Sequence, residues 1–383
     1  MNSNFLIQQK FSFSLKEFSG SLGDLGLFIP LVVAVSLTSG MNLGVIFIAA
    51  GLMNILTGYF FAQPIPVQPM KAIAAVVITE GLTQGGVVAA GLGMALLLIF
   101  LSYSGGIELL RRFIPNALVR GIQLGVGLKL ALKGYQWIAN LPILGTNSII
   151  LAVIIGLLLL YFIAKKIPGL LFVFLGGFAL VYWEHPELFN HLSFIFPSIH
   201  LVIPSSTEWN TGLVQGTLPQ LPLTLLNSVI AVCALSADYF PNRGIKTQRM
   251  AASVGWMNLI CVPFGAIPMC HGAGGLAAQY GFGARTGGSV IMLGGIKLLL
   301  GLFVGGFLLQ ILKFYPYAIL APMLVFAGIE LARTSFSLKN KTDISVAILT
   351  AMGILGGNTL IGFLLGGGMA LIVFLWGKTN KTE

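Results

Sequence analysis

This chain alternates long apolar runs with short polar joints, and that pattern leaves few folds open to it. A helix that crosses a bilayer needs about 20 mostly apolar residues. Twelve runs approach that length: Leu22–Leu37, Gly44–Phe61, Gly86–Tyr103, Ala117–Leu132, Ser148–Ala164, Gly169–Trp183, Leu221–Leu235, Met250–Phe264, Ser289–Leu309, Tyr317–Leu331, Ile344–Leu355 and Leu360–Trp376. Two shorter ones, Pro69–Thr79 and Gly272–Gly281, follow Pro-rich and Gly-rich breaks. Only 8% of the residues are charged and 56% are hydrophobic, against about 25% charged in a soluble domain. An ordinary cytosolic enzyme, a disordered chain and a nucleic-acid-binding domain are excluded, and no nucleic-acid partner is expected. The expected class is an all-α polytopic membrane protein of about fourteen segments.

The net charge of +10 is a topology signal. Lys and Arg gather on the cytoplasmic side of membrane proteins. With the N-terminus inside, Arg111, Arg112, Lys165, Lys166, Arg243, Lys246, Arg249, Arg285, Arg333, Lys339, Lys341, Lys378 and Lys381 all fall in cytoplasmic joints. The long joint from Glu184 to Gln220 has no Lys or Arg and faces outward. Fourteen segments put both termini in the cytoplasm. The first 19 residues lack a compact apolar core with a small-residue cleavage site, so no signal peptide is expected. Cys233, Cys261 and Cys270 lie singly in apolar runs, so no disulfide framework or CxxC metal site is expected.

Internal similarity divides the chain. Gly51-Leu52-Met53-Asn54 recurs as Gly255-Trp256-Met257-Asn258, and at the same offset Ala62 and Pro64 meet Ala266 and Pro268. Gly91 meets Gly295, the Phe113–Leu118 stretch resembles Phe314–Ile319, and Gly176–Leu180 resembles Gly367–Leu371. The expected halves are residues 1–183 and 219–383, joined by the outer loop 184–218. Each half holds seven segments, an odd number, so the second enters the membrane from the opposite side. Inverted repeats of this kind are a transporter architecture, with the substrate near the bilayer midplane at discontinuous helices.

The two breaks fall at matching places in the halves. In Gln63-Pro64-Ile65-Pro66-Val67-Gln68-Pro69-Met70-Lys71 the prolines disfavour helix before each of them. The chain should run extended to Val67, with Gln68 at the cap and Pro69 at the first helical position, where its missing N–H costs nothing. In Pro268-Met269-Cys270-His271-Gly272-Ala273-Gly274-Gly275-Leu276 a helix begins near Gly272, and the repeat offset matches Gly272 to Gln68. Such a start presents free amides and the positive dipole end with almost no side chain over them, which suits an anion. The expected substrate contacts are Gln68, Pro69, Met70, Lys71, Asn227, Ser228, His271, Gly272, Ala273, Gly274 and Gly275.

Ionisable residues inside apolar runs are expensive and point to function. Asp24 reads as a proton carrier or as a structural partner of Lys71. Lys71 either neutralises the anion, snorkels, or pairs with Asp24 or Glu80. His271 donates to the anion, titrates, or is a satisfied core histidine. Candidates for proton coupling are therefore Asp24, Glu80 and His271. Gln123, the one amide between Gly121 and Leu132, is a gate-side candidate. Lys129, Lys133, Lys297 and Lys313 receive no role. His185, His191 and His200 share the outer loop with Glu184, Glu187 and Glu208 at spacings that fit no standard metal pattern.

At these motifs the sequence resembles the molybdate transporter family, a branch related to the sulfate permeases. The resemblance rests on Gly23-Asp24-Leu25-Gly26 with Ile29-Pro30, on Pro66–Ala75, on Arg120-Gly121-Ile122-Gln123-Leu124, on Pro219–Val229 and on Pro268–Leu276. It implies a seven-plus-seven inverted-repeat fold in which a core domain (roughly 1–103 plus 219–310) moves against a gate domain (roughly 104–183 plus 311–376). It also implies uptake of a tetrahedral oxyanion, molybdate first, with tungstate or sulfate as alternatives. Sulfate permeases usually carry a cytoplasmic STAS domain. This sequence ends at Glu383, soon after Trp376, so none is expected, as in the molybdate branch. No Walker motif or nucleotide fold appears, so no ATP drive and no cofactor are expected. Proton co-transport and a homodimer are the expected partners beyond the lipid. A passive anion channel, a membrane enzyme and a nucleobase carrier are the competing readings. The outer loop offers no nucleophile–base pair for an enzyme, and Gly272–Gly275 has no carboxylate for a nucleobase ring.

Overall fold

The structure, a computed structural model, describes residues 11–165, 169–190, 196–304 and 311–379. Of the residues singled out above, Lys166, His191 and Lys381 lie outside that set, as do residues 1–10 and the last part of the Ser289–Leu309 run.

Polar residues at the joints start the helices. Ser14 accepts from the Glu17 amide to open Leu15–Ser39, and Asn42 accepts from Gly44 and Val45 to open Leu43–Phe61. Thr83 caps Gln84–Ser104, Ser148 caps Ile149–Ala164, and Asn340 caps Lys341–Gly356. Each side-chain oxygen satisfies an amide that the helix leaves orphaned. Between these lie Asn116–Ala139, Gly169–Glu184, Thr247–Cys261, Gly287–Leu299, Tyr317–Arg333 and Thr359–Thr379. By length and composition, Leu43–Phe61, Gln84–Ser104, Ser206–Tyr239 and Tyr317–Ser337 are long and apolar enough to cross a membrane, and several shorter apolar helices join them. The protein is an integral, multi-pass membrane protein.

The longest helix departs from expectation. It begins at Ser206, not near Leu221, so the second part of the expected outer loop is helical. Pro219 and Pro222 do not stop it. Instead two π-helical turns, Gly212–Thr217 and Thr224–Ile230, sit on either side of them and widen the hydrogen-bonding pattern. Widened turns of this kind occur mostly as single insertions, frequently at functional sites. Asn227 and Ser228 lie in the second one.

Both sequence breaks are real, and in the structure they meet. After Leu43–Phe61 the chain turns through Ala62 (φ 52°), and after Thr247–Cys261 it turns through Gly265 (φ 84°). Each then runs back, extended, to a three-residue strand: β1, Val67–Pro69, and β2, Met269–His271. The strands pair antiparallel, Val67 with His271, Gln68 with Cys270 and Pro69 with Met269. The repeated asparagines hold them. Asn54 Oδ1 accepts from Val67 N at 2.9 Å, and Asn258 Oδ1 accepts from Met269 N at 2.7 Å. Short helices leave each strand: Lys71–Glu80 and Ala273–Gly281.

The register corrects the predicted caps. Pro69 ends β1 and is not helical; Met70 is the N-cap of the first half-helix and Gly272 that of the second. Met70 therefore corresponds to Gly272, and Gln68 to Cys270 across the pair. The offset that fits Gly51–Pro64 slips by two residues at the strands. Met70 N donates to Pro268 O at 2.8 Å, which extends the strand pairing past Pro69 and delays the helix.

The helices sort into two bundles. In one, Leu43–Phe61 packs on Gly287–Leu299 so closely that a Cβ on Gly51 would sit 2.7 Å from the Gly294 carbonyl oxygen, and one on Gly294 would sit 2.6 Å from that of Gly51. Small residues allow this approach where lipid gives no hydrophobic drive. Gln84–Ser104 packs on Thr247–Cys261 in the same bundle. In the other, Asn116–Ala139 is central, against Tyr317–Arg333, Lys341–Gly356 and Thr359–Thr379.

Candidate functional site

A cavity of about 170 Å³ lies where the half-helices face the second bundle. Leu31, Lys71, Asn227, Gly274 and Ala278 line it from one side; Gln123, Leu130, Ala327, Glu330, Leu331 and Thr334 line it from the other. Four predicted residues, Lys71, Asn227, Gly274 and Gln123, thus share one cavity although the sequence scatters them over its whole length. A larger cavity of about 340 Å³, between Leu43–Phe61 and Thr247–Cys261, has mostly apolar walls and holds none of the predicted residues.

The two half-helix starts are not equivalent. The first is capped from outside: Gln220 Oε1 accepts from the Ala72 amide at 2.9 Å and from Ile73 at 3.4 Å, while its Nε2 donates to Thr224 Oγ1. The second has no side-chain cap. Among the described residues nothing accepts from the amides of Ala273, Gly274 and Gly275, so the expectation of open amides holds for one half-helix only. Gly272 and Gly275 leave no room for a side chain, because the Gln68 carboxamide lies against both.

Lys71 stands alone in charge. Asp24 pairs with Lys297, its Oδ2 3.5 Å from Lys297 Nζ, and Glu80 pairs with Lys129 at 2.8 Å. Both carboxylates that the sequence offered Lys71 are taken by other lysines. Among the described residues no carboxylate forms an ion pair with Lys71. A cation on the first turn of a helix also opposes the dipole, so this wall of the cavity is electropositive twice over. Glu330, the carboxylate in the lining, is drawn toward Arg333 on its own helix at 3.9 Å.

Asp24 and Lys297 are both fully buried. Lys297 Nζ donates to Val67 O at 3.2 Å and sits 3.6 Å over the Phe28 ring. Gln68 Nε2 donates to Asp24 Oδ1. Asp24 Oδ2 and Gln68 Oε1 lack hydrogen-bond donors. This cluster props β1 against the first helix beside the second half-helix. His271 points elsewhere: its Nε2 is 3.0 Å from Ser253 Oγ, its Nδ1 3.4 Å from Pro66 O, and Phe61 meets its ring edge-on. Pro69, Met70, Ser228 and Ala273 are buried and do not line the cavity.

Sequence reasoning missed Lys297, Gln220, Glu330 and Thr334. Lys297 carried a signal, a cation inside an apolar run. Gln220 carried one only in its place between two prolines of a long helix. Glu330 and Thr334 lie near a helix end, where polar residues are ordinary.

Comparison with known proteins bears on the family and the fold. A family described as "Molybdate transporter of MFS superfamily" matches residues 16–130 and 212–331. Molybdate transporter 1 of Arabidopsis thaliana is 36% identical over 98% of this chain and 90% of its own. Molybdate transporter 2 of the same plant is 37% identical over 94% and 87%. Molybdate transporter 1 of Chlamydomonas reinhardtii is 32% identical over 91% and 89%. Among solved structures, the murine Solute Carrier 26 family member A9 anion transporter in the inward-facing state superposes with a TM-score of 0.70 over 98% of this chain and 72% of that one. The transmembrane domain of a cyanobacterium bicarbonate transporter, BicA, gives 0.66 over 92% and 97%. Both are 13% identical, so the likeness is one of fold.

Proposed function

Because the chain belongs to the molybdate transporter family, a family of membrane transporters and not of enzymes, we propose that it imports a tetrahedral oxyanion, molybdate first, by alternating access. The observation that carries this reading is Lys71: an unneutralised cation at a half-helix start, lining a small cavity on the same side as Gly274 at the uncapped start of the other half-helix. A dianion meets that charge with hydrogen-bond donors on either side. Asn227 adds a side-chain amide from the widened turn of the long helix.

The proposal includes seven-plus-seven inverted repeats, with the first bundle as core and the second as gate. The antiparallel β1–β2 pair, reached by matching turns and pinned by matching asparagines, supports a two-fold relation between the halves. Both termini are placed in the cytoplasm, and two copies pair as a homodimer.

Import of a dianion against about 100 mV, inside negative, costs about 4.6 kcal/mol, at about 2.3 kcal/mol per charge. Concentrative uptake therefore takes a coupling ion, here a proton. Asp24 is the group best placed to carry it, buried beside the second half-helix with one oxygen that accepts no hydrogen bond. The test is molybdate binding to the purified protein in competition with sulfate and tungstate at several pH values, with uptake into proteoliposomes under an imposed pH gradient. Saturable, proton-driven uptake is expected. Absence of oxyanion binding, or a flux linear in concentration, as a channel gives, would overturn the reading.

Glu80 is placed as a latch. Its Oε1 accepts from Lys129 Nζ at 2.8 Å, from the Thr359 amide at 3.0 Å and from Thr359 Oγ1 at 2.7 Å; Lys129 also donates to Gly357 O at 3.3 Å. These bonds tie the end of the first half-helix to two gate helices. In the proposed orientation they close the outer side. Glu80→Ala is expected to open it, raising several-fold the labelling of a cysteine placed at Ala278 by an impermeant reagent added outside. Unchanged labelling would show that the cluster is no latch.

A further inference from the structure

We propose that Arg120 is a positioning residue that turns the Gln123 carboxamide with its N–H₂ group toward the cavity, making Gln123 the gate's hydrogen-bond donor to the substrate oxyanion. The inference rests on the transport reading above and adds to it the group by which the gate recognises the anion.

Gln123 is buried and lines the cavity opposite Lys71, Asn227 and Gly274. Its Oε1 lies 3.1 Å from Arg120 Nη1 and 2.8 Å from Thr334 Oγ1. A guanidinium has five N–H donors and no acceptor. The end of the amide that faces it is therefore the oxygen; the flipped amide would set donor against donor. Thr334 shares its single proton between Gln123 Oε1 and Leu331 O, each at 2.8 Å, so Arg120 is the group that decides the orientation. Among the described residues nothing accepts from Gln123 Nε2. Both of its N–H groups remain for a ligand.

Arg120 itself is half-buried, and among the described residues it forms no ion pair. Its Nε is buried without a partner. A guanidinium partly withdrawn from water and spent on one amide oxygen is costly, and orientation of Gln123 is the return visible in the structure. The two stand three residues apart on one helix face. The anion then takes donors from both bundles: Lys71 and the uncapped helix start at Gly274 from the core, Gln123 from the gate. Occupancy thereby draws the gate onto the core.

The test is a double-mutant cycle on the purified full-length protein, read as molybdate Kd. Arg120→Met and Gln123→Met are each expected to weaken binding about tenfold, as for loss of a hydrogen bond to a charged group. Arg120→Met added to Gln123→Met is expected to cost almost nothing more, because the amide it positions is gone. Arg120→Lys, which also only donates, is expected to restore most of the affinity. Equal losses from Arg120→Met in both backgrounds would show that Arg120 acts by its charge alone, and wild-type affinity in Arg120→Met would show that it does not act at all; either overturns the inference. If Arg120→Met does not fold, Arg120→Gln, which can offer its own oxygen and let Gln123 flip, carries the same cycle with the same expected result. Failure of the wild-type protein to bind molybdate or sulfate would instead overturn the transport reading itself.

Discussion

Lys71→Met is expected to weaken oxyanion binding by at least about a hundredfold and, at the same time, to leave the protein no less stable. Two unit charges about 4 Å apart attract by about 4 kcal/mol at an effective dielectric of 20. Each 1.4 kcal/mol is about tenfold in affinity, so even after much of this attraction is lost to desolvation, about two decades remain. Stability moves the other way. Among the described residues Lys71 has no carboxylate partner, and it opposes a helix dipole whose amides Gln220 already occupies. Removing a like charge from a helix start is worth about 0.3–1 kcal/mol. The opposed signs separate a binding lysine from a structural one. Lys71→Arg is expected to keep most of the affinity. Titration calorimetry with molybdate and thermal unfolding in the same detergent test both halves; a less stable variant with normal affinity would reverse the assignment.

The second large effect belongs to the buried pair. Lys297→Met leaves Asp24 fully buried without a cation, and breaking a buried pair by removing one partner costs about 3–5 kcal/mol. Asp24→Asn leaves Lys297 uncompensated in the same way. Removing both charges together, Asp24→Asn with Lys297→Met, is expected to recover most of that loss, because replacing a buried pair by groups of similar volume is often near neutral. If Asp24 carries the coupling proton, the double variant also exchanges molybdate across the membrane while failing to concentrate it under a pH gradient. A double variant as unstable as the sum of the two single ones would show that the pair is not the interaction that matters. One that still concentrates molybdate would remove Asp24 from coupling.

Much of this was legible in the residues. The apolar runs announce the helices, because a bilayer accepts little else. The prolines of Gln63–Pro69 and the glycines of Gly272–Gly275 announce the two interruptions. The motif Gly51–Asn54 recurs as Gly255–Asn258, and the asparagines of both copies prove to hold the strands. What failed was local detail that depends on partners. Pro69 reads as a helix start until β2 arrives to pair with it. The run that starts at Leu221 reads as following an outer loop, until the helix proves to begin at Ser206 and to carry Pro219 and Pro222 between two π turns. Lys71 has two carboxylates within plausible reach in sequence and pairs with neither.

The sequence by itself determined that this is a multi-span helical protein with two matched breaks, since hydrophobic length and missing amide donors are properties of the chain alone. The tertiary structure decided which charge finds which. Lys297 takes Asp24, Lys129 takes Glu80, and Lys71 is left to the cavity. The reason is physical: pairing of buried charges depends on distances of a few ångströms between helices far apart in sequence, and no spacing along one strand of residues encodes them.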